Sequence, residues 1–232
     1  MSIDGPNPEW RVEPGRLPYD RALADMETRV AAIATGDAPE LIWLVEHPPL
    51  ITAGTSADLA DLRQPGRFPV FTAGRGGQLT YHGPGQRVVY VLLDLNRRGR
   101  DVRALVRGLE AWTIAALARL GIAAFTSPVG TGIWVRRNGE DAKIGAIGIR
   151  VRRWVSYHGL SINVSTDLSH FEAIVPCGIA DRGVARIQDF RPGATLSEID
   201  DALLETVPHL LAQLGPRPSG GTMLLEGAGE CR

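Results

Sequence analysis

The sequence predicts an α+β domain: a mixed, largely antiparallel sheet flanked by helices. Three observations lead there. Short apolar runs bounded by Gly and Pro recur along the chain. Three segments carry apolar residues at helical spacing. An Asn-Gly pair joins two of the apolar runs as a hairpin. The chain has 232 residues, 44% of them hydrophobic and 22% charged, a mix that fills one core.

Residues 1–18, rich in Pro and Gly, read as an extended lead-in. Leu23, Met26, Val30 and Ile33 share one face of a helix over 20–35, stopped by Gly36. LIWLVEH (41–47) is a strand ended by Pro48-Pro49, and a second short strand follows at 50–53. A polar loop runs through residue 66, then a strand over 68–73. Residues 74–86 hold five glycines and a proline, and 87–95 form a buried strand. Asp101 caps a helix over 102–120, with Leu105, Leu109, Trp112 and Ala116 on one face and Gly121 after it. Strands at 122–125 and 130–136, a turn at Asn138-Gly139, and strands at 142–151 and 157–164 follow. Thr195 and Glu198 fit a capping box opening a helix over 196–214, which Pro208 should kink or split. No repeat or linker divides the chain. Residues 1–214 are expected to be one domain, and the Gly/Pro-rich 215–232 a mobile tail.

Composition removes several classes of function. No apolar run reaches the roughly 18 residues that span a bilayer, and the N-terminus lacks a basic and then apolar leader. A net charge of −1 suggests no bulk attraction to nucleic acid. Cys177 and Cys231 cannot make a disulfide framework or a cysteine-rich zinc site, so no metal is expected. A cytoplasmic enzyme with reduced thiols is the default.

The basic residues are 24 arginines and one lysine, Lys143. An amine can gain and lose a proton; a guanidinium in a protein cannot. A position that keeps Lys in so Arg-rich a chain points to proton transfer, the alternative being chance at one site. Lys143 lies in KIGAIGIR, where strict alternation puts Lys143, Gly145 and Ile147 on one face, and Ile144, Ala146 and Gly148 on the other. Glycines there would let a ligand lie along the backbone; an edge-strand lysine is the competing reading. RGGQLTYHGPGQ (75–86) is neither a P-loop nor a dinucleotide fingerprint. It reads as a polar pocket wall or as a Gly-rich hairpin corner. In YHGLSINV (157–164), His158 can orient a ligand or be a satisfied core histidine. Cys177, between Pro176 and Gly178, is a nucleophile candidate or a small buried residue. Cys231, near the end of the tail, is a poor candidate.

Those four segments, with EHPP (46–49) and TAG (52–54), resemble the lipoyl(octanoyl) transferase family in order and spacing. Cys177 lies 34 positions after Lys143, and the resemblance spans about residues 20–190. It implies the fold of the biotin and lipoate protein ligases. It implies transfer of an octanoyl group from acyl carrier protein to a lysine of lipoyl-accepting domains, those of 2-oxoacid dehydrogenase complexes and the glycine cleavage H protein. By resemblance Cys177 is the acyl-thioester nucleophile and Lys143 its acid/base partner. Arg75, Gly76, Gly77, Gln78, Leu79, Thr80, Tyr81 and His82 would line the acyl site, with Ala146, Ile147, Gly148, Gly159, Leu160 and Ser161. The donor would ride on the phosphopantetheine of the carrier, with no ATP, metal or other cofactor. No nucleic acid or membrane is implied as a partner. Arginines at 97, 98, 100, 103 and 107, or at 150, 152 and 153, could dock an acidic carrier or simply be solvated. Three other readings stay open: an ATP-using lipoate ligase, a thiol hydrolase pairing Cys177 with His82 or His158, and a silent binding module.

Overall fold

The most continuous apolar runs become central strands because both their faces are covered. In the computed structural model, which describes residues 7–128, 130–175 and 183–215, β2 (Leu41–Glu46) and β6 (Gln86–Leu92) pair antiparallel. Leu41, Trp43, Val45, Val88, Tyr90 and Leu92 face α1 (Tyr19–Thr35), which buries Ala22, Met26, Val30 and Ile33 against them. Ile42, Leu44, Val89 and Val91 face α2 (Val102–Arg119) and α3 (Leu196–Ala212). One sheet is thus sandwiched between one helix and two.

Among the described residues this sheet runs β1-β2-β6-β10-β9-β8-β7, with β11 beside β9. β1 is Glu9–Arg16, β7 Ala124–Ser127, β8 Gly130–Arg137, β9 Glu140–Arg152, β10 Val155–Asn163 and β11 Gly183–Val184. The neighbours are antiparallel except β1 with β2 and β11 with β9. A second, three-stranded sheet orders β4 (Val70–Thr72), β3 (Leu50–Ala53) and β5 (Leu79–His82). The class is α+β with a mixed sheet, as the pattern predicts.

Local chemistry sets most boundaries. Asp101 accepts the Ala104 N–H, and Thr195 and Glu198 form their reciprocal capping box. Asn138 and Gly139 both take positive φ (52° and 83°), as a tight hairpin turn demands. Two expectations are corrected. The lead-in contains β1, an edge strand whose largely exposed side chains offer no alternation to read. Pro208 does not split α3, which runs unbroken. The carbonyl that Pro208 leaves without a donor belongs to Leu204, which is half exposed and open to water.

One irregularity decides the site. On β9 the pairing passes from Trp134↔Lys143 to Ile133↔Gly145, so two steps on β9 oppose one on β8. Such a bulge shifts the alternation. Ile144, Ile147 and Ile149 therefore belong to the core beneath α2 and α3, while Lys143, Ala146 and Gly148 share the opposite side. Strict alternation had put Lys143 with Ile147; the bulge is why it fails.

Candidate active site

A cavity of about 310 Å³ opens where the large sheet, the small sheet and the start of α1 meet. That volume lies at the small end for ligand sites. The large sheet contributes Val88, Tyr90, Gly159, Ser161, Ala146 and Gly148; the small sheet contributes Thr52, Thr80 and His82. Tyr19, Ser56, Arg75, Gly77, Gln78, Gly130, Thr131, Lys143 and His158 complete the wall.

Lys143 projects from β9 toward β8, where its Nζ donates to the Thr131 carbonyl at 2.9 Å and lies 5.5 Å from the centre of the Trp134 ring. Room for the side chain comes from Gly132. A Cβ there would stand 2.4 Å from Lys143 Cε and 2.8 Å from the Gly145 carbonyl oxygen. Val184 pairs with Lys143 in register, and the Ala185 N–H donates to the Lys143 carbonyl.

Arg75 is held by its own loop and by β3. Its guanidinium donates to the carbonyls of Gly76, Thr52 and Gln78, and to Thr52 Oγ1 at 2.8 Å. Gly148 makes space for it, since a Cβ there would meet Arg75 Cδ at 2.8 Å. A Cβ at Gly159 would strike the Val89 carbonyl oxygen at 2.2 Å. These two strand glycines thus make room for neighbouring protein atoms while both remain on the cavity wall.

From Arg75 a hydrogen-bond chain runs in one direction. A guanidinium only donates, so Thr52 Oγ1 accepts from it and turns its own proton to His82 Nε2 (3.3 Å). His82 Nδ1 then carries the proton shared with Gln86 Oε1 (2.7 Å). Gln86 Nε2 donates to Asn163 Oδ1, and Asn163 Nδ2 to the Ala185 carbonyl. Behind this chain, His47 Nδ1 meets the Leu17 carbonyl at 2.6 Å and must donate, so Nε2 accepts from the Tyr90 hydroxyl at 2.6 Å.

Burial sets the charges. Desolvation first, then the neighbouring His47, pulls His82 down to about 3. Desolvation and then Arg75 pull His158 down to about 4, and desolvation lowers His47 as well. Desolvation pushes Tyr19 up to about 12 and Tyr90 well above its ordinary value. At neutral pH the imidazoles are uncharged and the phenols protonated. His82 has both ring nitrogens committed and is a poor general base.

Of the residues read from the sequence, Arg75, Gly77, Gln78, Thr80, His82, Lys143, Ala146, Gly148, His158, Gly159 and Ser161 meet at this cavity. Ile147 and Leu160 border it, but their side chains pack in the core beneath α2 and α3. Leu79 and Tyr81 turn away, because alternation on β5 sends them to the separate cluster of Ile51 and Phe171. Gly76 is not on the wall; its N–H donates to the Ile149 carbonyl. Cys177 lies outside the described residues, as do Cys231 and the tail from 216. Tyr19, Thr52, Ser56, Val88, Tyr90, Gly130 and Thr131 are unforeseen. Tyr90 and Val88 sit in an apolar run that reads as core, and only the topology turns them to the cavity. Of the arginine groups, Arg98 is buried on Glu40 and so removed from any docking face. Among the described residues no three of His, Cys, Asp and Glu converge as a metal site. No helix among them is long and apolar enough to cross a membrane.

The sequence pattern of the lipoyl protein ligase A/B catalytic domain matches residues 18–207. The octanoyltransferase of Rhizorhabdus wittichii is 57% identical over 214 residues, covering 92% of this chain and 96% of its own. That of Sphingopyxis alaskensis is 58% identical over 212 residues, covering 91% and 97%. A crystal structure of lipoate-protein ligase A bound with ATP superposes with a TM-score of 0.64 at 20% identity, covering 88% of this chain and 86% of the other. That last likeness is one of fold.

Proposed function

The chain belongs to the lipoyl protein ligase A/B catalytic-domain family and is an octanoyltransferase, and from that premise we propose that it works through a covalent thioester on Cys177. The donor is octanoyl acyl carrier protein. The acceptor is the lysine of a lipoyl-accepting domain, of a 2-oxoacid dehydrogenase complex or the glycine cleavage H protein. The observation that carries this reading is the placement of the chain's sole lysine on the wall of a cavity whose imidazoles are neutral.

In the first step the Cys177 sulfur attacks the donor's thioester carbonyl; a new carbon–sulfur bond forms and the carrier's thiolate leaves. The Lys143 amine takes the thiol proton and returns one to the leaving sulfur. In the second step the acceptor nitrogen attacks, the carbon–nitrogen bond forms, and the Cys177 sulfur departs. Lys143 again relays the proton, since the attacking amine must be uncharged. Thioester exchange is close to neutral in free energy and amide formation runs downhill, so no ATP is needed. Chain connectivity supports the pairing: Cys177 is six residues from Gly183, which sits beside Ala142 on β9. Six residues span at most about 20 Å. Burying six methylenes of the acyl chain supplies about 5 kcal/mol of binding.

Intact-mass analysis tests the covalent step. Incubation with octanoyl acyl carrier protein, without acceptor, should add one octanoyl group that Cys177→Ala abolishes. Lys143→Arg keeps a cation but cannot exchange its proton, and transfer should fall by at least a hundredfold. Full activity of Cys177→Ala, or turnover that requires ATP, would overturn the mechanism.

A further inference from the structure

Three side-chain atoms on the cavity wall are buried without partners: Gln78 Oε1, the Tyr19 hydroxyl and His158 Nε2. The Tyr19 hydroxyl and His158 Nε2 have no hydrogen-bond partner, and each residue is only 3% exposed. Both line the cavity. They lie in one neighbourhood: Tyr19 shares an apolar cluster with Ala73, and the His158 ring lies near the Ala73 backbone. A phenol hydroxyl can give or accept a proton, and a neutral imidazole nitrogen does one or the other. A hydroxyl, or a water, can satisfy both at once.

His158 is also held at φ 60° in the middle of β10. A non-glycine residue there carries roughly 1–3 kcal/mol of strain, which persists where the surroundings enforce it and often marks a ligand contact. His158 pairs with Ile149, and Lys143 lies six residues back along β9, which the bulge between Lys143 and Gly145 shortens to five regular steps. At about 3.3 Å per residue that is roughly 16 Å. An eight-carbon chain, with carbon–carbon bonds of about 1.5 Å, advances about 9 Å. With a thioester carbon in van der Waals reach of the amine, what remains is about the width of one water molecule.

We propose that Tyr19 and His158 form a polar stop at the inner end of the acyl slot, which limits chain length and accepts a chain ending in a hydroxyl. This rests on the reading of the cavity as the acyl site. A longer alkyl chain displaces the water and leaves both polar atoms buried and unpaired, which is costly. A terminal hydroxyl replaces the water and keeps both bonds.

The test compares octanoyl, decanoyl and 8-hydroxyoctanoyl acyl carrier protein as donors, and the free acids as ligands by calorimetry. The wild-type protein should use the hydroxylated donor within about threefold of octanoyl, and decanoyl at least tenfold less well. Tyr19→Phe should raise the decanoyl-to-octanoyl ratio of kcat/KM about tenfold and lower the hydroxyl-to-plain ratio similarly, with the same shifts in relative affinity for the free acids. His158→Asn, compatible with positive φ, should shift the ratios the same way. The stop is overturned if neither ratio moves in either variant, or if the wild type rejects the hydroxylated chain a hundredfold. Binding ratios that shift while no donor is turned over would sink the transfer reading and leave the stop standing; normal octanoyl transfer with unmoved ratios would do the reverse.

Discussion

Lys143 reaches the cavity because residue 132 has no side chain. A methyl group at that position would overlap Lys143 Cε and press on the Gly145 carbonyl, and φ at Gly132 is 138°, where other residues are strained. Gly132→Ala should therefore displace the amine. Misplacement of a catalytic group by about 1 Å costs on the order of a hundredfold in rate. The expected outcome is that loss in kcat/KM with an unchanged far-ultraviolet circular dichroism spectrum; a variant with normal kinetics would show that the amine's position is not critical. The sequence marks Lys143 by its rarity, but Gly132 is one glycine among 27. His82 teaches the converse. Its spacing in the Gly-rich motif marks it, yet the motif cannot say that Thr52 and Gln86 occupy both ring nitrogens.

At the scale of elements, β6 and α3 are tied by a buried bidentate pair, Arg87 with Asp200, both contacts at 2.8 Å. They are 113 residues apart, and neither looks unusual in the sequence. Removing one partner leaves a buried charge uncompensated. Asp200→Leu or Arg87→Met should each cost about 3–5 kcal/mol in urea unfolding, and the double variant Arg87→Met with Asp200→Leu should recover much of that. A double variant as unstable as the sum of the singles would indicate that the pair does not act as a unit. The bulge in β9 belongs to this scale too. Helix ends, the hairpin and the capping box were legible because each is written within a few consecutive residues. The bulge was not, because it exists only in the pairing of β9 with β8.

For the molecule as a whole, the buried neutral imidazoles set the response to acid. His82 and His158 titrate near 3 and 4 when folded, and His47 is lowered too, whereas an unfolded chain protonates them near 6.5. The unfolded state thus binds more protons in that window. Their contribution is whole above about pH 6.5 and drains as pH falls toward 4, by up to about 1.4 kcal/mol per histidine per pH unit. Asp200, raised by desolvation, works the other way just above its ordinary range. The thermal midpoint should fall steadily from pH 7 to pH 4. A flat profile over that span would mean that these rings are hydrated.

The order of elements, their caps and turns, and the residue types that can carry acyl transfer are properties of short stretches of chain. The sequence by itself determined them, because hydrophobic period, turn chemistry and motif spacing are local. Which side chains share the cavity was decided only in three dimensions. A bulge turned Lys143 to the side of Ala146 and Gly148, strand pairing brought Thr52 beside His82, and helix packing set Tyr19 in the cluster of Leu50 and Ala73. Each depends on register between segments far apart in the chain, and register is fixed by burial of whole faces.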